Sequence, residues 1–205
     1  MAKPFIKWVG GKSQLIPEIT QRLPEYVKNG KPYIYVEPFS GSAAVALHLL
    51  DSGHPPSAII LNDINTDLVN LYKVVKSNPH ELLAYLKTLQ VEYDELEDKE
   101  AKQPYYYTKR EEFNTREADD IKHAGLFIFW NRAGFNGLYR VNSKNKFNVP
   151  IGSYKKPNFV FEDIILQASK VLANVEIYNQ SYEDTLSHLE QFNKSNLPAF
   201  FYFDP

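Results

Sequence analysis

Two short apolar runs near the start of the sequence are each followed by a turn and then by the periodic apolar pattern of a helix. The first run, at 33–37, leads through a turn containing Gly41 into a helix predicted to start at Ser42. The second run, at 57–63, precedes a helix predicted to end at Asn78. Because strands that alternate with helices pair in parallel, this pattern constrains the chain to an α/β fold built on a parallel sheet.

The strand pattern returns only near the end of the chain. We predict a third and a fourth strand at 173–180 and 198–203, with a helix between them. The intervening sequence is mostly helical in pattern and then rich in the glycine, asparagine and proline of loops and hairpins. We therefore predict one α/β domain made of residues 1–79 and 160–205, interrupted by a helical and hairpin insertion at 80–159.

Charge is distributed unevenly along the chain, although the net charge is only −2. Six basic residues and no acidic residue lie between Trp130 and Pro157, within the predicted insertion. A basic segment in a mildly acidic protein indicates a local binding site for a polyanion.

The residue types that are absent or scattered exclude several other chemistries. The chain has no cysteine, so neither disulfides nor a thiolate nucleophile are available. Its five histidines lack the spacing of metal ligands, which argues against a metal site. The longest apolar stretches, such as 124–130, are too short to cross a bilayer, and the N-terminus lacks the apolar core of a signal peptide. We therefore expect a cytoplasmic protein.

One glycine and one aspartate have the spacing of a nucleoside site. In doubly wound sheets a ligand lies beyond the carboxyl ends of the strands, and an acidic residue about 20 positions after the glycine turn holds ribose hydroxyls. Gly41 and Asp63 have this spacing, but the three-glycine fingerprint of dinucleotide sites is missing. A turn with a capping aspartate would account for the same pattern equally well.

A series of motifs adds a family resemblance to this pattern. "FIKWVGGK" at 5–12 is followed, in order, by "VEPFSGSAAV", "LNDIN", "REEFN", "NRAGFNGLYRVNSKNKFNVPIGSYKKP", "QSYED" and the terminal "YFDP". Together they resemble the motifs of DNA adenine-N6 methyltransferases of the Dam and DpnM type, the D12 class. The resemblance extends from Phe5 to Pro205, and the long basic stretch is its most specific part.

The resemblance implies a function, a fold and partners. Members of the family transfer a methyl group from S-adenosylmethionine to N6 of adenine in double-stranded DNA, usually within GATC, after flipping the base out of the duplex. The implied fold is a Rossmann-like methyltransferase sheet with an inserted DNA-recognition domain. Double-stranded DNA is then the expected partner, and we expect a monomer that needs neither a metal nor a membrane.

The resemblance also assigns roles to individual residues of the sheet domain. Asp204 and Pro205 match the start of the catalytic motif, where the carboxylate and the proline carbonyl would accept the two hydrogens of the adenine amine. Asp63 would accept the ribose hydroxyls of the cofactor. The residues implied in cofactor binding are Trp8, Lys12, Phe39, Gly41, Asp63, Ser181, Tyr182 and Asp204.

Positions in the basic segment and around it match those that the family uses for DNA. Arg140 is the candidate for a bidentate contact to guanine, the commonest specific pairing in the major groove. The lysines are expected at phosphates, which position the duplex without specifying its sequence. The residues implied in DNA binding are Lys7, Arg110, Arg132, Phe135, Asn136, Leu138, Arg140, Tyr154 and Lys155.

The sequence ends within the family's catalytic motif, Asp-Pro-Pro-Tyr, of which it contains only the first half. The missing tyrosine would stack on the flipped base, and later strands would complete the sheet. On these grounds we expect the C-terminal part of the sheet to be absent and the 205-residue chain to be inactive by itself.

Four other functions compare with adenine methylation as follows. A DNA-binding module without catalysis would retain the basic insertion, and an N4-cytosine methyltransferase would use a related motif. Methylation of protein glutamine is disfavoured by the insertion. A C5-cytosine methyltransferase is excluded, because its reaction requires a cysteine nucleophile.

Overall fold

The computed structural model describes residues 3–205 and contains a four-stranded sheet. Its strands are β1 (Ile34–Glu37), β2 (Ala58–Asn62), β3 (Val175–Tyr178) and β4 (Ala199–Phe201). They lie in the order β3-β2-β1-β4, and every pair is parallel. The predicted parallel α/β sheet is thus confirmed, with each strand inside its predicted segment.

Helices cover the sheet and form most of the remaining structure. They are α1 (Ile16–Gln21), α2 (Glu25–Lys28), α3 (Ala44–Leu50), α4 (Thr66–Ser77), α5 (Pro79–Asp94), α6 (Lys99–Thr115), α7 (Asp120–Ala133), α8 (Glu162–Leu172) and α9 (Thr185–Phe192). Short 3₁₀ turns lie at Ser13–Leu15, Phe135–Gly137 and Tyr182–Asp184.

The central strand β1 is buried along its whole length, as expected for a parallel strand covered on both faces. Val36 pairs with Ile60 of β2 on one side and with Phe201 of β4 on the other. The pairing continues beyond β4, because the backbone N–H of Tyr202 donates to the Val36 carbonyl at 2.9 Å. This register carries Asp204 to the turn that follows β1.

Asn62, the last residue of β2, joins the turns that follow β1 and β3. Its side-chain amide donates to the carbonyl of Pro38 at 3.1 Å and to that of Gln180 at 3.0 Å. The Asn62 carbonyl accepts the backbone N–H of Ser40 at 2.9 Å. The carboxyl ends of β1, β2 and β3 are therefore held together at one edge of the sheet.

The predicted insertion contributes to the same hydrophobic core as the sheet. From His123 to Asn131 every residue of α7 is buried, so this part of the helix has no solvent face. It packs on α4 of the sheet domain and on α5 and α6. Aromatic rings fill the contacts, for example Trp130 against Phe147 with 4.1 Å between ring centroids. The division of the chain at residues 80 and 160 stays a prediction.

The loop that follows α7 is held by two isolated antiparallel bridges, Gly134 with Ile151 and Val141 with Phe147. They agree with the hairpins expected from its composition. Helix α8 was not predicted, although Ile165, Ala168 and Leu172 are buried with helical spacing and could have revealed it.

Residues 3–205 contain neither a membrane-spanning helix nor a cluster of metal ligands. No helix in this range is long and apolar enough to span a bilayer. Within the same range, no three histidine, aspartate or glutamate side chains come together in a way that could hold a metal ion.

Candidate active site

A pocket of about 150 Å³ lies beyond the carboxyl ends of β1 and β4, where a parallel α/β sheet commonly binds its ligand. The N-terminal segment supplies Trp8 and Lys12 to its wall, and the turn after β1 supplies Phe39 and Gly41. Asp204 closes the pocket from the end of β4. Predicted site residues from three distant parts of the sequence therefore share one cavity.

The turn after β1 has a backbone that requires glycine. Gly41 has a φ of +45°, and a Cβ atom at this position would lie 3.0 Å from the Trp8 ring. Ala43 is also left-handed, with a φ of 50°. This geometry delays the start of α3 to Ala44, two residues after the predicted start at Ser42.

Asp63 stabilises this turn through both of its carboxylate oxygens. Oδ2 accepts the backbone N–H of Gly41 at 3.0 Å, and Oδ1 accepts that of Asn65 at 2.9 Å. Burial raises the pKa of Asp63, and these backbone hydrogen bonds partly offset the rise. The spacing of Gly41 and Asp63 thus corresponds to a turn with a capping aspartate, and the ribose role of Asp63 stays a prediction.

Lys12 and Asp204 form an ion pair inside the pocket, with 2.5 Å between Nζ and Oδ2. Lys12 Nζ also donates to the Gly10 carbonyl at 2.8 Å. Both side chains are partly exposed, at 26% for Lys12 and 31% for Asp204, so the pair is accessible to a ligand. The contact fixes the carboxylate at the mouth of the cavity.

Glu37 is a functional candidate that the sequence reasoning missed. Its carboxyl group lines the pocket, and Oε2 accepts the Tyr35 hydroxyl at 3.0 Å. Burial raises the pKa of Glu37 to about 8, although the bonds from Tyr35 and the Ala46 backbone act in the opposite direction. An acidic residue ending an otherwise apolar strand was the signal that could have identified it.

A cluster of three aromatic side chains borders the pocket. The Phe39 ring lies 5.3 Å from Tyr182 and 6.3 Å from Phe203, measured between centroids. Tyr182 and Phe203 are 48% and 57% exposed, so flat apolar surface is available beside the turn. Ser181 caps the short 3₁₀ turn by accepting the backbone N–H of Glu183.

The N-terminal segment (residues 5–12) and the basic loop that follows α7 (residues 134–157) lie side by side. Lys7 Nζ donates to the Tyr154 hydroxyl at 3.1 Å and stands 4.4 Å from the centre of that ring. Asn131 joins the two segments, because its amide group bonds to the backbone N–H and carbonyl of Lys7 and to the carbonyl of Gly137. Two motifs predicted to contact DNA thus form one surface.

Predicted DNA contacts continue along this loop. Phe135 is 49% exposed, and Asn136 has a left-handed φ of 53°. Leu138 is half-buried, whereas Lys155 is exposed. The exposed Arg140 is oriented by Asn148, whose Oδ1 accepts the Arg140 Nε–H at 2.8 Å.

Two of the predicted arginines make contacts of a different kind. Arg132 is partly buried, donates to the Phe5 carbonyl at 3.0 Å and stands 4.1 Å from the Phe161 ring centre. Burial lowers its pKa. Arg110 stacks on Tyr107 at 4.6 Å. These contacts are internal, so the geometry favours a supporting role for Arg132.

Comparisons with known proteins agree with this arrangement of motifs. The family model described as "D12 class N6 adenine-specific DNA methyltransferase" matches residues 8–205. The Type II methyltransferase M.MjaIII of Methanocaldococcus jannaschii is 40% identical over 205 residues, covering 99% of this chain and 68% of that protein. The Type II methyltransferase M1.LlaDCHI of Lactococcus lactis subsp. cremoris is 34% identical over 208 residues, covering 99% of this chain and 65% of that protein.

A bacterial DNA adenine methylase shows the same similarity. The protein of that name from Escherichia coli (strain K12) is 37% identical over 188 residues, which cover 92% of this chain and 61% of the relative. The chain therefore spans about two thirds of the length of the curated relatives it matches.

Proposed function

This chain belongs to the D12 class of N6 adenine-specific DNA methyltransferases, and from that premise we propose that it methylates adenine at N6 in double-stranded DNA, within GATC, after flipping the base out of the duplex. The observation that carries the proposal is the meeting of Lys12, Gly41 and Asp204 in one pocket. The basic loop lies beside this pocket through the contact of Lys7 with Tyr154.

S-adenosylmethionine is the methyl donor of the D12 class, and the pocket has the chemistry to hold it. Lys12 offers a cation for the carboxylate of the methionine moiety, and Glu37 and Asp204 offer carboxyl groups for its positive charges. The exposed rings of Tyr182 and Phe203, beside Phe39, suit a stacked purine. The cofactor supplies an electrophilic methyl group on its sulfonium.

The residues at the end of β4 would activate the acceptor. The lone pair of the adenine amine is delocalised into the ring, so the nitrogen is a poor nucleophile. We assign the Asp204 carboxylate and the Pro205 carbonyl as acceptors of its two hydrogens, which favours a tetrahedral nitrogen with an available lone pair. The ion pair with Lys12 supports this role, because it fixes the Asp204 carboxylate at the pocket mouth.

Tritiated methyl transfer tests the proposed reaction. The protein is expressed over its full reading frame and incubated with duplexes that contain GATC, a scrambled site, or GATC already methylated at N6. We expect label only on the first duplex, recovered as N6-methyladenine after digestion to nucleosides. Label recovered as N4-methylcytosine would overturn the proposal in favour of an N4-cytosine methyltransferase. DNA binding without any transfer would overturn it in favour of a DNA-binding module without catalysis.

Asp63→Ala tests the cofactor site. If Asp63 holds ribose hydroxyls, this change weakens S-adenosylmethionine binding by about 1 to 3 kcal/mol, the scale of hydrogen bonds to a charged acceptor. Calorimetric titration of the folded variant measures the loss. Asn65→Ala is the matched control, because it removes the cap on Leu68 N–H at the start of α4, next to the same loop. Equal losses in both variants would assign Asp63 to the turn alone.

Arg140→Ala and Lys155→Ala separate base reading from phosphate binding. We expect Arg140→Ala to lose about 1 to 3 kcal/mol of discrimination at one base pair, because Asn148 orients its guanidinium for a directed contact. Lys155→Ala should weaken all sequences alike and reduce the salt slope of binding by about one unit. Anisotropy titrations on cognate and scrambled duplexes at several salt concentrations measure both. Equal losses on the two duplexes for Arg140→Ala would show that it contacts only phosphate.

A further inference from the structure

Tyr139 lies between two predicted DNA contacts, Leu138 and Arg140, but its own side chain points into the protein. Its ring is stacked on Trp8, with 5.6 Å between centroids and 29° between planes. It is also stacked on Phe127 at 5.8 Å and 18°. Tyr139 is therefore one residue through which the basic loop packs on both the N-terminal segment and α7.

The hydroxyl group of Tyr139 is fixed by a buried carboxylate. It donates to Oδ2 of Asp67 at 2.8 Å, and Asp67 is only 4% exposed. The same carboxylate contacts His123 Nε2 at 2.9 Å and Arg116 Nη2 at 3.0 Å. With its ring stacked and its hydroxyl bonded, Tyr139 has little freedom to move without Trp8 or Asp67.

Two of the residues that Tyr139 contacts, Trp8 and Asp67, are connected to the proposed cofactor pocket. Trp8 lines the pocket, and its ring lies 3.0 Å from the position that a Gly41 Cβ would occupy. Asp67 is in the first turn of α4, and the cap of that helix, Asn65, is bonded to Asp63, which is in turn bonded to Gly41. Two contiguous routes thus join Tyr139 to the turn after β1.

We propose that Tyr139 is a positioning residue that couples cofactor binding to DNA binding. A ligand that contacts Trp8 restricts the indole, and the indole restricts the stacked Tyr139 ring only while the hydroxyl bond to Asp67 holds that ring in place. The adjacent residues Leu138 and Arg140 are then held ready for the duplex. In a close-packed interior such a restriction passes between touching side chains. The coupling is reciprocal, so bound DNA raises cofactor affinity by the same factor. This inference rests on the proposed function, because it requires both ligands to bind.

The test compares two tyrosines that each donate to a carboxylate. Tyr139→Phe removes the bond to Asp67 and keeps the stacked ring. Tyr105→Phe is the matched control, because Tyr105 donates to Glu92 Oε2 at 2.6 Å and packs on Tyr93 and Phe129, away from the pocket. The dissociation constant of a GATC duplex is measured by anisotropy with and without S-adenosylhomocysteine, using the full reading frame.

We expect S-adenosylhomocysteine to tighten DNA binding of the wild type and of Tyr105→Phe by about five-fold or more. In Tyr139→Phe the ratio of the two dissociation constants falls close to one. If the role of Tyr139 were merely structural, Tyr139→Phe would raise both dissociation constants and leave their ratio unchanged. An unchanged ratio in Tyr139→Phe therefore overturns the inference.

A second measurement on the wild type needs no variant to fold. The affinity for S-adenosylhomocysteine is titrated with and without the duplex, and the same factor is expected. If both ligands bind but neither affects the other, the coupling is refuted while the proposed function stands. If either ligand fails to bind, the proposed function fails first.

Discussion

Replacing Asp204 with alanine is expected to lower the rate of methyl transfer to adenine by about two to three orders of magnitude, the loss seen when one preorganised group is removed from a charge-stabilising site. The variant loses one of the two proposed acceptors for the amine hydrogens. It also leaves Lys12 without its ion-pair partner at the pocket mouth. Single-turnover transfer of a tritiated methyl group to a GATC duplex measures the rate of the chemical step.

Two further variants make this result specific. Asp184→Ala is the control, because Asp184 is an exposed aspartate in the 3₁₀ turn before α9 and does not line the pocket. It should transfer methyl groups at the wild-type rate. Asp204→Asn retains an acceptor oxygen without the charge, so an intermediate rate is expected. A wild-type rate in Asp204→Ala would refute the role given to this residue.

Replacing Asp67 with alanine is expected to lower the free energy of unfolding by about 3 to 5 kcal/mol, as when one partner of a buried ionic group is removed. Asp67 is 4% exposed and is hydrogen-bonded to His123, Arg116 and Tyr139. All three side chains would lose this partner. Urea unfolding followed by circular dichroism measures the change. Glu18→Ala is the control, because its ion pair with Arg22 is exposed and should contribute little. A small effect of Asp67→Ala would show that the cluster is loosely held.

The pH dependence of unfolding separates the contribution of Asp67 to stability from that of Glu37, the other buried carboxyl group. Burial alone would raise the pKa of Asp67, but hydrogen bonds from His123 and Tyr139 and the charge of Arg116 outweigh it, so the pKa is lowered. The stabilisation from Asp67 is thus complete above the unfolded pKa of 3.8 and is lost as the pH falls through the lower folded value. Glu37, with its pKa raised to about 8, loses its contribution as the pH rises from 4.5 towards 8. Asp67→Asn should therefore flatten only the acidic limb of the profile.

The strands and the position of the site could be predicted because they depend on local patterns. Each strand is a short apolar run, and parallel strands place their carboxyl ends at one edge. The start of α3 was wrong by two residues, because Ala43 adopts a left-handed backbone that the residue preference of alanine does not indicate.

The buried polar contacts could not be predicted in the same way. Asp67 is separated by 56 positions from His123 and by 72 from Tyr139. The packing of α7 on α4 brings His123 to Asp67, and the packing of the loop after α7 on Phe127 brings Tyr139 there. The motifs of the resemblance indicated Lys12 and Asp204 individually, but their direct ion pair is a property of the fold. Asp63 illustrates the converse, since its spacing from Gly41 was equally compatible with a turn cap, which is the contact observed.

The all-round burial of α7 limits how DNA specificity could be exchanged between relatives. A chimera that replaced the whole of 80–159 would have to rebuild the interface of α7 with α4, where a mismatched side chain leaves a cavity or a clash. Grafting only the loop that begins at Phe135 and ends at Lys155 leaves that interface intact. The graft would still have to retain Gly137, where a Cβ atom would lie 2.8 Å from the Asn131 carbonyl, and Phe147, which packs on Trp130.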